Sequence, residues 1–292
     1  SSLNLSWNNF PLKGFFAPEM AYDHKAVSVI EKLGFEWMIL DEISCGGEVG
    51  KVDYNKVYNI EGSKLKVFFR ERRLSNLIMS AVVRSKDTLL EAMQNDVESN
   101  RYVITAMDAE TFGHHRPGLE KMLFDIFDTD ALDLIQISEI PNFYKEEISI
   151  LPAPATWASS KQDIDEGNQF LSWSDSENII HKWQRAFTDL VVKNVYALET
   201  DNPRYLVVRG KLDIALASDH FWWASGKPWW SLEMIEDGAY RLLDTLRHTP
   251  LVSKEDLEEG RDYYEKIITT AFNWQRTGKI RQMMQEQRSI LR

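Results

Sequence analysis

A single cysteine, Cys45, stands in a chain of 292 residues. That excludes an internal disulfide, and with it the stapled framework by which small secreted domains compensate for a thin core. A reducing, cytoplasmic setting is the expectation. Long apolar runs are missing as well. No stretch approaches the ~20 residues that span a bilayer, and the opening residues lack the basic start and hydrophobic run of a signal peptide. Positive charge is in short supply, with 34 lysines and arginines against 45 acids and a formal charge of -11. Such a balance repels phosphate backbones and anionic headgroups, which argues against nucleic acid or a membrane as partner and favours a neutral substrate.

Several catalytic signatures are also absent. The chain has no GxSxG elbow, no P-loop and no GxGxxG following a strand, so serine-hydrolase, nucleotide and dinucleotide readings lose their support. His114 and His115 are adjacent, yet no HExxH or CxxC pair accompanies them, and neither a metal nor another cofactor is expected.

What remains is an ordinary globular composition, 43% hydrophobic and 27% charged. Up to about Leu151 short apolar runs alternate with helical patterns: KGFFAP, EMAYDHKAVSVIEKLG, then FEWMILD. This is the rhythm of β-α units on a parallel sheet. Lys66 to Arg70 (KVFFR) and Tyr102 to Met107 (YVITAM) read as further buried strands, and a polar loop from about Ser44 to Ser63 precedes the first of them. Thr88 to Ser99 and Leu119 to Phe127 read as crossover helices. The polar stretch APATWASSKQDIDEGN (Ala153 to Asn168) interrupts the alternation. We therefore expect a sheet region over 1–155 and a helical region over 156–292, the latter with helices over Ser176 to Ala197, Leu206 to Ala217, Leu232 to Arg247 and Ser253 to Arg281.

Two acids stand at expected C-terminal strand ends, Glu19 in GFFAPEMAYD and Asp108 in AMDAETFGHH, where parallel-sheet enzymes place their catalytic groups. One ionised and one protonated carboxyl are what glycosidic bond cleavage with retention requires. The competing reading is that Pro18 opens a helix whose positive end Glu19 merely complements, and that Asp108 and Glu110 are cap or loop residues. Ten tryptophans are the one unusual feature of the composition. Four of them fall with Asp219 and His220 in ALASDHFWWASGKPWW, from Ala215 to Trp230. Flat rings beside an acid suit a sugar, which offers C–H faces to the rings and hydroxyls to the carboxylate, although a helix start capped by Ser218 or Asp219 explains the same string.

Taken in order, these strings resemble glycoside hydrolase family 57, the group of α-amylases, glucanotransferases, branching enzymes and amylopullulanases. GFFAPEMAYD is similar to the nucleophile segment and puts that role on Glu19. MDAETFGHH is similar to the DGE-type acid/base segment, with Ala109 in place of glycine, and puts that role on Asp108. VFFRERRLSNLI, from Val67 to Ile78, resembles the arginine-bearing strand end, which sets Arg70 at the border of the cleft. The strings Thr156 to Gln184 and Ser218 to Gly226 resemble later segments.

The resemblance implies an α/β fold, an incomplete (β/α)7-type barrel followed by a helical C-terminal region that completes the substrate cleft. It also implies an α-glucan or oligosaccharide substrate held by Arg70, Glu110, His114, His115, Trp157, Asp219, His220, Trp222 and Trp223. The family's opening histidine-glutamine-proline strand has no counterpart before Glu19, so a second chain or a further N-terminal segment is expected to complete the barrel. The expected activity is that of a retaining glycosidase or glucanotransferase. A non-catalytic glucan-binding homologue and a metal-dependent polysaccharide deacetylase are the alternatives.

Overall fold

The computed structural model of the chain describes residues 12–227 and 229–290. The first eleven residues, where the expected sheet region begins, lie outside that range. The chain forms two compact units that divide after Gln169.

Among the described residues the first unit has five strands: β1 (Gly14–Phe15), β2 (Trp37–Asp41), β3 (Val57–Ile60), β4 (Lys66–Arg70) and β5 (Glu147–Ile150). Their order across the sheet is β1-β2-β4-β3-β5, parallel throughout except for the antiparallel pair of β3 with β4. WMILD and KVFFR are nearly continuous apolar runs because both faces of a parallel strand are covered, and four of the five residues of each are buried. The register of β2 on β4 sets Trp37 against Lys66 at one end and Asp41 against Arg70 at the other. That pairing places an acid and a base side by side at the C-terminal edge of the sheet. At the opposite edge β1 approaches closely, and a Cβ on Gly14 would come within 2.0 Å of the Trp37 ring. Only glycine fits there.

Around this sheet lie α1 (His24–Lys32), α2 (Arg72–Met79), α3 (Lys86–Ala92), α4 (Gln94–Glu98), α5 (Glu120–Phe127), α6 (Ile140–Phe143) and α7 (Lys161–Asp165). The main core joins Met38, Leu40, Val67, Phe68 and Phe69 of the strands to Tyr54, Tyr102 and Ile104. A smaller one gathers Leu74 and Ile78 of α2 with Leu89, Leu119 and Met122.

Three sequence expectations are corrected here. The polar loop over Ser44 to Ser63 contains β3, whose Val57, Tyr58 and Ile60 are buried against β4 and β5. Tyr102 to Met107 forms no ladder among the described residues. Its polar groups are met singly instead: Tyr102 N–H by Tyr54 O at 3.3 Å, Ile104 O by Glu71 N–H at 2.8 Å, Ala106 N–H by Ser75 Oγ at 3.2 Å and Ala106 O by Arg70 Nε at 2.7 Å. The helix read over Thr88 to Ser99 breaks at Met93 into α3 and α4.

The second unit is helical, with α8 (Ile179–Tyr196), α9 (Tyr205–Ala215), α10 (Asp219–Trp222), α11 (Leu232–His248), α12 (Lys254–Thr277) and α13 (Lys279–Ile290). Their three- and four-residue apolar spacing buries Phe187, Val191, Leu212, Leu242, Leu246, Ile267 and Trp274 in one core. Ser253 caps α12 through its Oγ, which accepts from Asp256 N–H at 3.0 Å. Gly278, in the left-handed conformation at φ 81°, ends it and starts α13, so the single helix expected over Ser253 to Arg281 is two. The α/β class with a helical C-terminal region is thus the observed one. Among the described residues no helix is long and apolar enough to cross a membrane.

Candidate active site

Glu19 lies just beyond β1 in a tight turn over Pro18–Met20. Pro18 opens no regular helix, since Glu19 (φ 56°) and Met20 (φ 50°) both adopt the left-handed conformation, and α1 begins only at His24 under an Asp23 cap. Two successive non-glycine residues at positive φ are strained, at about 1–3 kcal/mol each. The surroundings hold them there. Tyr22 and Ala155 exchange backbone hydrogen bonds of 2.9 and 3.2 Å, Trp157 N–H donates to Glu19 O at 3.1 Å, and Met20 is fully buried. The Trp157 indole N–H then donates to Glu19 Oε2 at 2.6 Å, fixing the carboxylate against a half-buried ring. Phe16 meets the same ring edge-on at 6.4 Å.

Beneath this ring is a buried charge cluster. Arg70 is 2% exposed, with its Nη1 2.7 Å from Asp41 Oδ2 and its guanidinium carbon 5.6 Å from the centre of the Trp157 ring. Asp41 Oδ1 accepts from Arg72 Nε at 2.9 Å and from Ile43 N–H at 3.1 Å. Arg72 reaches on to Trp157 O at 3.0 Å and Ser159 O at 3.1 Å, and so carries the strand-end charge to the segment that clasps Glu19. Arg70 Nε, through Ala106 O, reaches the stretch leading to Asp108. Arg70 therefore points into the protein, where it ties three segments together. Glu42, which follows Asp41, is also buried. Burial raises its carboxyl above the usual range, against the lowering effect of N–H bonds from Gly50 and Arg72.

Asp108 is exposed, and its carbonyl closes the turn over Ala109–Thr111 by accepting from Thr111 N–H at 3.0 Å. Its side chain makes no capping bond, so the cap explanation does not account for it. Glu110, His114 and His115 follow on one exposed loop, with Glu110 Oε2 3.3 Å from His115 Nε2 and 4.0 Å from His114 Nδ1.

In the helical unit, Asp219 is exposed and His220 buried, and both line a pocket of about 290 Å³ with Asp213, Asp237, Gly238 and Arg241. Neither Ser218 nor Asp219 caps α10 through its side chain; Ser218, at the cap position, has helical backbone angles. Gln184 Nε2 donates to His220 Nδ1 at 3.0 Å, which leaves the proton of the neutral ring on Nε2. Burial, reinforced by His181, lowers His220 to about 4, with Asp237 opposing. Trp222 and Trp223 are half-buried and belong to a separate aromatic group: Trp222 stacks on Trp229 at 4.6 Å and meets Trp223 edge-on at 5.2 Å.

Thus Glu19, Arg70 and Trp157 meet in one cluster, Glu110, His114 and His115 in a second that adjoins Asp108 in sequence, and Asp219 and His220 in a pocket of the helical unit. Asp41, Glu42 and Arg72 were missed by sequence reasoning. An acid closing the apolar run FEWMILD was the available signal, the same rule of position that singled out Glu19 and Asp108.

A comparison with curated proteins gave no match. Among solved structures, the chain is similar to the 4-alpha-glucanotransferase from Thermococcus litoralis, with a TM-score of 0.47 and 14% identity over 80% of this chain. The chain spans 40% of the length of that protein. The family model of glycosyl hydrolase family 57 matches residues 11–149. The matched stretch carries Glu19, Arg70, Asp108, Glu110, His114 and His115, so this part of the chain is similar to glycosyl hydrolase family 57.

Proposed function

We propose that the chain acts on α-linked glucans such as starch, glycogen or maltooligosaccharides by a retaining mechanism, with Glu19 as nucleophile and Asp108 as general acid/base. The observation that carries this reading is that the family 57 region contains both acids in motif context, while the fold holds Glu19 in a strained turn with its carboxylate fixed by Trp157. Strain maintained by surrounding hydrogen bonds is characteristic of functional positions.

In the first step a Glu19 oxygen bonds to the anomeric carbon. The bond from that carbon to the leaving oxygen breaks, and its electron pair takes the proton of Asp108. In the second, Asp108 accepts a proton from water or from a sugar hydroxyl, whose oxygen displaces Glu19 from the anomeric carbon. Hydrolysis and transfer thus differ only in the acceptor. Neither step calls for a metal. The Asp41, Arg70 and Arg72 cluster positions the Glu19 and Trp157 segments without touching substrate. Glu110, His114 and His115 are exposed donors and acceptors beside Asp108 for sugar hydroxyls. Trp157 supplies a ring face next to Glu19, and the pocket of the helical unit lined by Asp219 is a separate candidate for sugar hydroxyls.

The test is incubation with maltooligosaccharides, products being followed by chromatography. The parent should form shorter or longer glucans. Asp108→Asn should lose about 10²- to 10⁴-fold in rate, the usual contribution of a general acid, and Glu19→Gln should form no covalent intermediate and turn nothing over. Equal turnover by parent and variants would remove both assignments, and glucan binding without turnover by the parent would favour a binding protein.

A further inference from the structure

We infer that Glu110, His114 and His115 form a binding site for a divalent transition-metal ion of the zinc type. One ligand atom from each residue lies within 4.8 Å of the other two, and the two distances from Glu110 Oε2 are 3.3 Å to His115 and 4.0 Å to His114. A tetrahedral zinc ion, bound at about 2.0–2.2 Å by each nitrogen and oxygen, needs its ligand atoms roughly 3.3 Å apart. Side-chain rotation of these exposed residues would have to close a remaining difference of up to about 1.5 Å.

The backbone beneath is already fixed. His115 N–H donates to Glu110 O at 2.7 Å, which brings the two ends of the loop together, and Gly113, at φ 88°, lies in the bend between them. A hydrogen bond between Glu110 and His115 accounts for one of the two short approaches. It gives no reason for the second imidazole to converge on the same carboxylate oxygen.

The electrostatic setting favours a cation. Glu120 has a buried Oε2 with no hydrogen-bond partner among the described residues, and that oxygen lies 3.7 Å from where a Cβ on Gly113 would stand. A second carboxylate therefore faces the loop. The loop's own cation, Arg116, is engaged elsewhere, its Nε donating to Met79 O at 3.1 Å.

Two imidazoles and a carboxylate select zinc, nickel or copper over calcium and magnesium, which prefer oxygen ligands throughout. With three protein ligands, a fourth position stays open to water. The ion would use the groups assigned above to sugar hydroxyls, so it and a glucan would compete for them.

The test uses the metal-free chain and zinc chloride alone, followed by calorimetric titration. No glucan is present, so the outcome does not depend on the glycosidase reading. One ion per chain is expected to bind. His115→Ala and Glu110→Gln should each weaken it about tenfold or more, comparable to the 10- to 100-fold effect of lesser changes around metal sites, while His24→Ala, outside the loop, should leave it unchanged. All three ligands are exposed, so circular dichroism should show the variants folded. No saturable binding at one equivalent would overturn the site, as would binding that survives unchanged in a His114→Ala, His115→Ala double variant.

Discussion

Trp157 joins Glu19 at two points, through its backbone N–H and through its indole N–H. Trp157→Phe keeps a ring over Arg70 and removes only the indole bond. With Glu19 as the proposed nucleophile, we expect a loss of rate of about tenfold or more from its looser placement, with stability lowered by about 1–3 kcal/mol at most, as measured by steady-state kinetics and denaturant titration. An unchanged rate would show that the bond does not orient Glu19. Asp41 is different in kind, being a buried carboxylate between two guanidinium groups. Asp41→Ala leaves Arg70 buried and unpaired, so the expected cost is about 3–5 kcal/mol in urea unfolding of the sheet unit. At this scale the sequence offered candidates. The acids Glu19 and Asp108 stand out by position and motif. The Asp41–Arg70 pair does not, because 29 residues separate its members and only the parallel register of β2 on β4 makes them neighbours.

Among the elements, α10 and α11 pack without intervening side-chain bulk. A Cβ on Gly238 of α11 would lie 2.2 Å from His220 Cβ and 2.3 Å from its Cγ, and a Cβ on Gly260 of α12 would lie 2.5 Å from Leu246 Cδ2. Neither neighbour can swing clear cheaply, since the first contact is with the root of the side chain and the second is in the core. Gly238→Ala should destabilise the helical unit by about 1–3 kcal/mol despite alanine's better helix propensity, as measured by thermal unfolding. A stabilised variant would show that α10 moves freely. Element existence was largely readable from apolar periodicity, as in α8, α9, α11 and α12. Breaks were not: α3 and α4 divide at Met93, which carries no breaker residue, because tertiary contacts outweigh the weak local preference for continuing the helix.

For the chain as a whole, the helical unit carries the clearest dependence on pH. Burial lowers His220 to about 4 and lowers His181 as well. A histidine whose folded value is depressed stabilises the fold above its unfolded value, near 6.5, and that stability is lost as pH falls through the folded value. The loss for His220 is about 3 kcal/mol between pH 6.5 and 4. Asp175 extends the trend. Burial would raise its carboxyl, but the Lys227 ammonium at 2.9 Å and the Glu177 N–H at 2.8 Å hold it below the usual range. Its contribution is present above about pH 3.9 and disappears in more acid solution. Urea midpoints measured from pH 7 to 4 should therefore fall steeply in the parent and less steeply in His220→Asn, and parallel curves would remove His220 from this account.

The resemblance to glycosyl hydrolase family 57 over residues 11–149, the α/β class, the helical second half and the choice of Glu19 and Asp108 as candidates all came from the sequence itself, because they rest on local strings and periodicities. Tertiary structure decided the rest. The left-handed Glu19 is held by Trp157, 138 residues away along the chain, and β3 forms within a polar stretch because β4 and β5 cover its apolar residues. Tyr102 to Met107 has the alternation of a strand, with Tyr102 and Ile104 buried, but turns and side chains take its hydrogen bonds in place of a ladder. A one-dimensional pattern records which face of a segment is apolar. It does not record which distant backbone or side chain will meet the polar groups of that segment, and in this protein those long-range partners set the geometry around Glu19 and the path of the segment that leads to Asp108.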